Sequence, residues 1–189
     1  MIIDSSYFKA DIHIAGLSST GVQDSVSMFI DKYEPEYLIK ILGYDFYKSF
    51  TDAIAEEAPD DKWTKLLTGD TYTDAQGITQ KWYGFQQDVS ATQVNISPIA
   101  CYVYFYYSRK TSTVTTASGE TGVRWEKSVS ISPAQKQAKA WNDMVELNKR
   151  LYDFLLCKKV DGSLVYSEFD TSKIGCDAEE LFIKINPMI

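Results

Sequence analysis

Apolar residues recur every three or four positions through the first third of the chain, which is the period of one helical face. Thr20 and Gln23 stand at the spacing of a capping box, so a helix begins there. Pro35 favours a second, short helix, and Gly43 stands where a C-terminal cap is expected. Asp45 then begins a third helix. The apolar positions of these helices include Val22, Val26, Phe29, Ile30, Tyr33, Leu38, Ile41, Leu42, Phe46, Phe50 and Ile54.

Two further segments complete the first half of the chain. A short helix is predicted from Asp60, with an apolar face made of Trp63, Leu66 and Leu67. The pattern then changes to short alternation around a turn that ends in Gly77, which predicts a small β-hairpin between residues 69 and 82. Residues 1–19 lack capping signals and alternate only briefly. We therefore expect residues 1–19 to form an extended N-terminal arm.

An apolar helix followed by a polar arm is predicted in the middle of the chain. Ser97-Pro98 is a helix start signal, since serine is a good N-cap and proline suits the first helical position. Residues 99–107 are apolar on every side, which favours a helix buried on most faces. Residues 108–131 are rich in Ser, Thr, Gly and charge, and so long a connection is rare unless it has a role. We predict a β-ribbon or long loop arm over residues 108–131.

The last third of the chain predicts one long helix and a C-terminal extension. Ser132-Pro133 repeats the start signal, and the helix runs to about Cys157. Residues 164–169 fit a strand, and Asp177 with Glu180 forms a last capping box. The fold class is therefore mainly α: a helical bundle with a small β-hairpin and a long β-ribbon or loop arm. The 189 residues form a single domain, with an N-terminal arm (1–19), a helical core (20–157) carrying the arm 108–131, and a C-terminal extension (158–189).

Composition and charge narrow the function classes. The formal net charge is −7, and an acidic protein repels the phosphate backbone of DNA, which argues against nucleic-acid binding through a basic face. The longest apolar run, residues 99–107, is far shorter than the ~20 residues of a membrane span. No signal peptide is visible at the N-terminus. The three widely spaced cysteines fit neither a disulfide framework nor a zinc site, so we expect a soluble protein with reduced thiols.

Catalytic chemistry is sparse in this sequence. His13, with Asp11 two residues away, could act as a general base, but a surface or packed histidine is the simpler interpretation. A pairing of His13 with Cys101 or Cys157 stays open, although inert buried thiols are favoured. The adjacent carboxylates at 56–57, 60–61 and 179–180 do not face each other on a helix. No glycine-rich phosphate loop is present. We predict that the protein is not an enzyme and holds no cofactor or metal.

Aromatic residues are the strongest feature of the composition. The chain has 13 Tyr, 9 Phe and 4 Trp, and most of them are expected to fill the core. Consecutive aromatic residues at positions 104–107 must point in several directions if they lie on one helix. One face of this helix can pack in the core, whereas the aromatic side chains of another face need a second packing surface. A neighbouring subunit would provide it.

A resemblance emerges from the order of these elements. The chain has an N-terminal helix, then the segment Pro35-x-x-Leu38-x-x-x-Leu42-Gly43-Tyr44-Asp45-Phe46-Tyr47 and a Trp63-x-x-Leu66-Leu67 helix. A Ser-Pro-capped aromatic helix, a long Ser/Thr/Gly loop and a closing amphipathic helix follow. Over roughly residues 20–157 this resembles the head–tail connector (adaptor or neck) proteins of tailed bacteriophages, particularly those of Bacteroides phages and prophages. The Leu-Gly-x-x-Phe-Tyr element is typical of such connectors.

The resemblance implies a structural virion protein of the phage neck, synthesised in the host bacterial cytoplasm. Such proteins form a ring, usually dodecameric, under the portal protein; the ring extends the DNA channel and docks the tail or a stopper protein. DNA would pass without specific binding, and no membrane is involved. The arm 108–131 would be an inter-subunit arm, and residues 158–189 would bind the portal or tail. The interface candidates are Tyr104, Tyr107, Val123, Trp125, Phe182 and Ile183.

An alternative interpretation is a monomeric ligand-binding module. Aromatic side chains stack on sugar rings, so a carbohydrate is the ligand class that this composition suggests. This alternative predicts an exposed aromatic cleft. The stacking platform would be formed by Trp63, Tyr72, Trp82 and Tyr83.

Overall fold

The architecture is a helical core with two small antiparallel hairpins. A computed structural model describes residues 1–74, 76–86, 97–111, 113–116, 119–122, 133–158 and 162–186. The α-helices are α1 (Thr20–Leu42), α2 (Tyr44–Ile54), α3 (Asp61–Thr68), α4 (Pro98–Thr111) and α5 (Pro133–Leu155). The strands are β1 (Asp70–Thr73), β2 (Thr79–Trp82), β3 (Thr113–Thr116) and β4 (Gly119–Gly122). Short 3-10 helices cover Ser5–Tyr7, Ala10–Ile12, Thr171–Lys173 and Cys176–Phe182. The mainly α class predicted from the sequence is thus confirmed.

Helix α4 is the centre of the core. It packs against α5 and against α1, and every residue from Pro98 to Phe105 is buried. The prediction of a helix buried on most faces is therefore confirmed. The Ser97 hydroxyl is also buried but has no hydrogen-bond partner within the described part of the chain. Pro98, which needs no partner for a backbone N–H, is thus the start signal that operates here.

Helix α1 is one continuous helix, and the prediction of a separate short helix from Pro35 was wrong. The chain remains helical from Thr20 to Leu42 with Pro35 inside. A proline inside a helix costs about 3 kcal/mol. Buried residues on both sides of it, including Ile30 and Leu38, offset that cost by packing on the core. The start at Thr20 is as expected, although the cap position is Ser19 and its side chain makes no cap bond.

A tight corner joins α1 to α2. The Gly43 N–H donates to the Ile39 carbonyl at 2.9 Å, and Gly43 has φ 75° and ψ 153°. Residues other than glycine rarely adopt this conformation, so the glycine predicted as a helix terminator does have that role. Helix α2 then starts at Tyr44, with Asp45 in its first turn.

The N-terminal segment lies on the core, and the expected extended arm over residues 1–19 is not observed. Two 3-10 helices compact the chain. The Glu34 carboxylate of α1 is buried and accepts hydrogen bonds from the backbone N–H of Ile2, at 2.7 and 2.9 Å, and of Ile3, at 3.0 Å. The sequence pattern did not reveal this arrangement because the partner is 31 or 32 residues away. The apolar side chains buried here are Ile2, Ile3, Tyr7, Phe8, Ile12 and Ile14.

Hairpin β1–β2 is the one predicted between residues 69 and 82. Asp70 lies opposite Trp82, and Thr73 lies opposite Thr79. Trp82 is fully buried, and its indole N–H donates to the Leu66 carbonyl of α3 at 3.0 Å. The hairpin is therefore attached to the core by the tryptophan at one end.

The C-terminal extension returns across the helices without forming the strand predicted over residues 164–169. A single isolated bridge, between Lys158 and Leu164, is present. Tyr166 and Phe169 are buried, and the Tyr166 hydroxyl donates to the Lys62 carbonyl at 2.7 Å. No second strand lies beside this segment among the described residues, so its backbone turns to bury the aromatic side chains. The 3-10 helix Cys176–Phe182 begins from Gly175, rather than from the predicted cap Asp177.

Candidate assembly surfaces

A half-buried group of aromatic rings lies where α1 meets the second half of α4. We call it the aromatic patch: Phe29, Tyr33, Tyr106 and Tyr107. The rings of Tyr33 and Tyr106 are stacked, with centroids 4.6 Å apart and planes 8° apart. Tyr107 meets Phe29 edge-on at 5.2 Å. Each ring packs on the core on one side and keeps part of its surface accessible on the other.

Cationic side chains border the aromatic patch. The Lys32 ammonium lies 4.8 Å from the centroid of the Tyr33 ring, and the Lys110 ammonium lies 5.9 Å from that of Phe29. Tyrosine and phenylalanine are enriched in protein–protein interfaces, whereas lysine is depleted there, so the rings rather than the two ammonium groups favour a contact surface. The patch can therefore bind a partner surface through apolar contact and hydrogen bonding together.

The structure separates the two interface candidates on α4. Tyr107 belongs to the aromatic patch and is half-buried, whereas Tyr104 is only 5% exposed. Burial raises the pKa of both hydroxyls. Consecutive aromatics on α4 are thus covered mostly within the chain itself, because α1 and α5 both pack on this helix. Of the two tyrosines, only Tyr107 offers appreciable surface to a neighbour.

A β-ribbon continues from the end of α4 within the segment predicted as an arm. Thr113 lies opposite Gly122, and Thr116 lies opposite Gly119. The ribbon is a two-stranded sheet, so each strand has a backbone edge that is not paired with another strand of the described residues. Such edges can accept a further strand. The arm candidates Val123 and Trp125 lie outside the described residues.

The C-terminal candidates Phe182 and Ile183 contact the chain's own α5. The Phe182 ring meets the Tyr152 ring edge-on, with centroids 4.6 Å apart. The Ile183 side chain is 62% exposed, while its carbonyl accepts a hydrogen bond from the Trp141 indole N–H at 2.9 Å. Their use in binding a portal or tail protein stays a prediction.

The sequence analysis missed the side chains on α5 that hold this tail. Asn148 is fully buried, and its amide donates to the Leu181 carbonyl at 2.8 Å while its oxygen accepts from the Tyr37 hydroxyl. Asn142 both donates to the Ile185 carbonyl and accepts from the Ile185 N–H, at 3.1 and 2.9 Å. Asparagine is a poor helix former. Two asparagines inside this long helix were therefore a usable signal.

The corner after Gly43, which belongs to the Leu-Gly-x-x-Phe-Tyr element, also forms an exposed surface. Tyr44 is 62% exposed there, and the neighbouring Ile39 is also exposed. A cleft of about 240 Å³ lies between them and the 3-10 helix at the C-terminus. The corner therefore presents an exposed aromatic side chain beside an exposed apolar one. An exposed aromatic surface of this kind was predicted on α4.

The aromatic platform of the carbohydrate alternative is not exposed. Trp63, Tyr72 and Trp82 are buried in the core. Tyr83 is half-buried, with the Lys81 ammonium 5.5 Å and the Arg150 guanidinium 5.4 Å from its ring centroid. A sugar needs an accessible ring face, and three of the four proposed rings do not offer one. This surface therefore gives no support to a carbohydrate site.

Asp11 and Cys101 both line a cleft of about 380 Å³, but His13 is not among the residues that line it. His13 is exposed, and burial raises the pKa of the Cys101 thiol to about 12 and also raises that of Cys157. These thiols are therefore neutral near pH 7 and poor nucleophiles. The carboxylates at 56–57 and 179–180 are exposed. Within the described ranges, no three metal-ligating side chains come together.

Among the described helices, none combines the length and the apolar character that crossing a membrane requires. No family model, curated protein or solved structure matches this chain.

Proposed function

We propose that this protein is a structural subunit of a bacteriophage neck, forming a ring between the portal and the tail. In this role it extends the DNA channel and provides a docking surface for the tail or a stopper protein. The proposal starts from the resemblance of residues 20–157 to head–tail connectors. The Leu42-Gly43 corner between two helices supports that resemblance, because this glycine ends α1 and is followed at once by α2.

The observation that carries the proposal is the position of the aromatic patch beside the ribbon. Tyr106 and Tyr107 lie in the half of α4 from which the ribbon β3–β4 continues. A ring needs an adhesive surface on each subunit and an element that reaches a neighbour. The patch would supply the first, and the ribbon edges, which pair with no further strand of the described residues, would supply the second.

Charge supports the same role. The net charge of −7 disfavours a tight grip on DNA phosphates, which suits a conduit through which DNA must move. His13 is exposed, and burial keeps the thiols of Cys101 and Cys157 neutral near pH 7. A structural role uses none of them.

The test is the oligomeric state of the purified protein. Light scattering or mass photometry is recorded over a concentration series, alone and with a candidate portal protein. We expect a ring, either by itself or on addition of the portal. A chain that stays monomeric in both conditions would overturn the proposal.

A matched pair of variants then locates the interface. Tyr107→Ala removes a patch ring, and a residue central to an interface costs about 2 kcal/mol or more of association when truncated, which is roughly a 30-fold weaker association. Tyr83→Ala removes a half-buried tyrosine outside the patch and serves as the control. Equal ring formation by both variants would show that the patch is not the subunit interface.

A further inference from the structure

The tail that follows Gly175 is held on α5 by side chains of that helix that bind the backbone of the tail. Three side chains of α5 donate to its backbone: Asn148 to the Leu181 carbonyl, Trp141 to the Ile183 carbonyl and Asn142 to the Ile185 carbonyl. The accepting residues are alternate ones, 181, 183 and 185. Leu181 lies in the last turn of the 3-10 helix Cys176–Phe182, and the chain becomes extended at Ile183, with φ −101° and ψ 121°.

The contacts of the tail run in the opposite direction to α5. Phe182 lies against Tyr152 near the end of the helix, and Ile185 is bound by Asn142 nearer its start. A salt bridge of 2.9 Å between the Lys184 ammonium and the Glu146 carboxylate lies between these points. We call Trp141, Asn142, Glu146 and Asn148 the α5 clamp.

The α5 clamp recognises mainly backbone. Four of its hydrogen bonds go to backbone groups of residues 181–185, and the Ile183 side chain points away, being largely exposed. Side-chain preference comes from Leu181, which is fully buried, and from Lys184, which pairs with Glu146. The segment that fits carries a buried apolar residue in a short 3-10 helix and continues as extended chain, with a basic residue three positions after the apolar one.

A second copy of the chain supplies the same peptide. The tail is joined to the rest of the chain through Gly175, which is exposed and would have nothing within 4 Å of an added Cβ. A short segment joined through an exposed glycine can pass to a neighbour, and the bonds it makes there are identical to those it leaves.

We propose that the α5 clamp is a binding site for the short 3-10 helix Cys176–Phe182 and the extended chain that follows it, and that in the assembly it takes residues 176–186 of a neighbouring copy in place of its own. The choice of a second copy as the source of the peptide rests on the proposed ring. The exchange would tie each subunit to the next without creating any contact that the single chain lacks.

A charge reversal tests the exchange in the full-length chain. Lys184→Glu places two carboxylates together within one chain, and Glu146→Lys places two ammonium groups together. When the two variants are mixed, each tail finds its opposite charge only on the other variant. Both variants change exposed side chains, so folding is retained. With different affinity tags on the variants, the amount of mixed pair is read by co-purification and native mass spectrometry.

We expect the mixture to contain at least about ten times as much of the mixed pair as of either variant paired with tagged copies of itself. The reason is that two ion pairs form in the mixed pair and two repulsions are removed. The double variant Lys184→Glu/Glu146→Lys restores attraction within one chain and should return to the wild-type level. Adding Asn142→Ala to both partners should reduce the mixed pair, because the backbone contacts at Ile185 are lost.

The control is the pair Lys48→Glu with Asp52→Lys. This exposed ion pair lies within one turn of α2 and cannot be completed by another chain's tail. Mixed pairs no more abundant than in this control would overturn the exchange, and ring formation by the wild-type protein would then show that the proposed function stands without it. Mixed pairs with no ring under any condition would support the exchange and contradict the ring.

Discussion

The two ends of the chain are held on the helical core by opposite chemistry. At the N-terminal end a carboxylate on α1, Glu34, accepts hydrogen bonds from the backbone N–H groups of Ile2 and Ile3. At the C-terminal end the neutral amides of Asn142 and Asn148 and the Trp141 indole donate to backbone carbonyls. A charged acceptor binds more strongly than a neutral donor. The tail also has an ion pair between Lys184 and Glu146, but both side chains are about half exposed, so we expect the N-terminal segment to be the firmer attachment and the tail to be the one suited to exchange.

Removing the carboxylate should give the largest loss. Glu34→Ala leaves two backbone N–H groups without their buried acceptor, and we expect the free energy of unfolding to fall by about 3 kcal/mol in a urea titration. Glu34→Gln should lose less, because one acceptor oxygen is kept. Glu57→Ala, at an exposed carboxylate, is the control. A loss below about 0.5 kcal/mol for Glu34→Ala would contradict the anchoring role.

The buried asparagine of the tail attachment should come next. Asn148→Ala leaves the Tyr37 hydroxyl and the Leu181 carbonyl without their partner, and we expect a loss of about 2 kcal/mol by thermal or urea unfolding. Lys149→Ala changes the next residue, which is exposed, and should be nearly neutral. Equal effects of the two variants would mean that Asn148 holds nothing essential.

The outer asparagine should have a smaller and local effect. Asn142→Ala removes both hydrogen bonds to Ile185, with an expected cost of about 1 kcal/mol. Amide hydrogen exchange at Ile185 should become faster, while exchange in α4 stays unchanged. The exposed Gln135→Ala on the same helix is the comparison. Faster exchange throughout the core would show that the tail is not a separate unit.

Acid should loosen the tail by the smallest amount. Hydrogen bonds from Lys184 and Lys149 hold the pKa of Glu146 below its ordinary value. Because the pKa of Glu146 is lowered in the folded state, its ion pairs stabilise the protein fully at pH values above the ordinary carboxyl pKa. This stabilisation is lost as the pH falls through the folded-state pKa. Exchange at Ile185 should therefore rise relative to Glu146→Gln as the pH falls from about 6 to about 3. Identical profiles for wild type and Glu146→Gln would refute this contribution.

Sequence signals between near neighbours correctly predicted the elements that depend on those neighbours. Ser97-Pro98 and the apolar run after it gave α4, and alternation around Gly77 gave the first hairpin. Burial was harder to predict than secondary structure. The exposed face expected on α4 exists only at its second half, because α1 and α5 cover Tyr104.

The errors occurred where distant groups decide the structure. Pro35 is a strong local stop signal, yet packing on both sides keeps α1 continuous. Residues 1–19 have no local reason to fold, and Glu34 provides a distant one. The predicted strand over 164–169 had the right alternation but no neighbouring strand in the described part of the chain. Periodicity reports which residues prefer burial, and it cannot report which partner buries them.

The hydrogen-bonded series from Tyr37 through Asn148 to Leu181 provides the molecule with a built-in spectroscopic probe. The Tyr37 hydroxyl donates to Asn148 at 2.5 Å, and Asn148 in turn holds the tail. Burial raises the pKa of Tyr37 well above its ordinary value. Departure of the tail would admit water to this phenol. Because the chain has 13 tyrosines, the tyrosinate absorbance of the wild type minus that of Tyr37→Phe in alkaline solution isolates this group and would report tail release without any label.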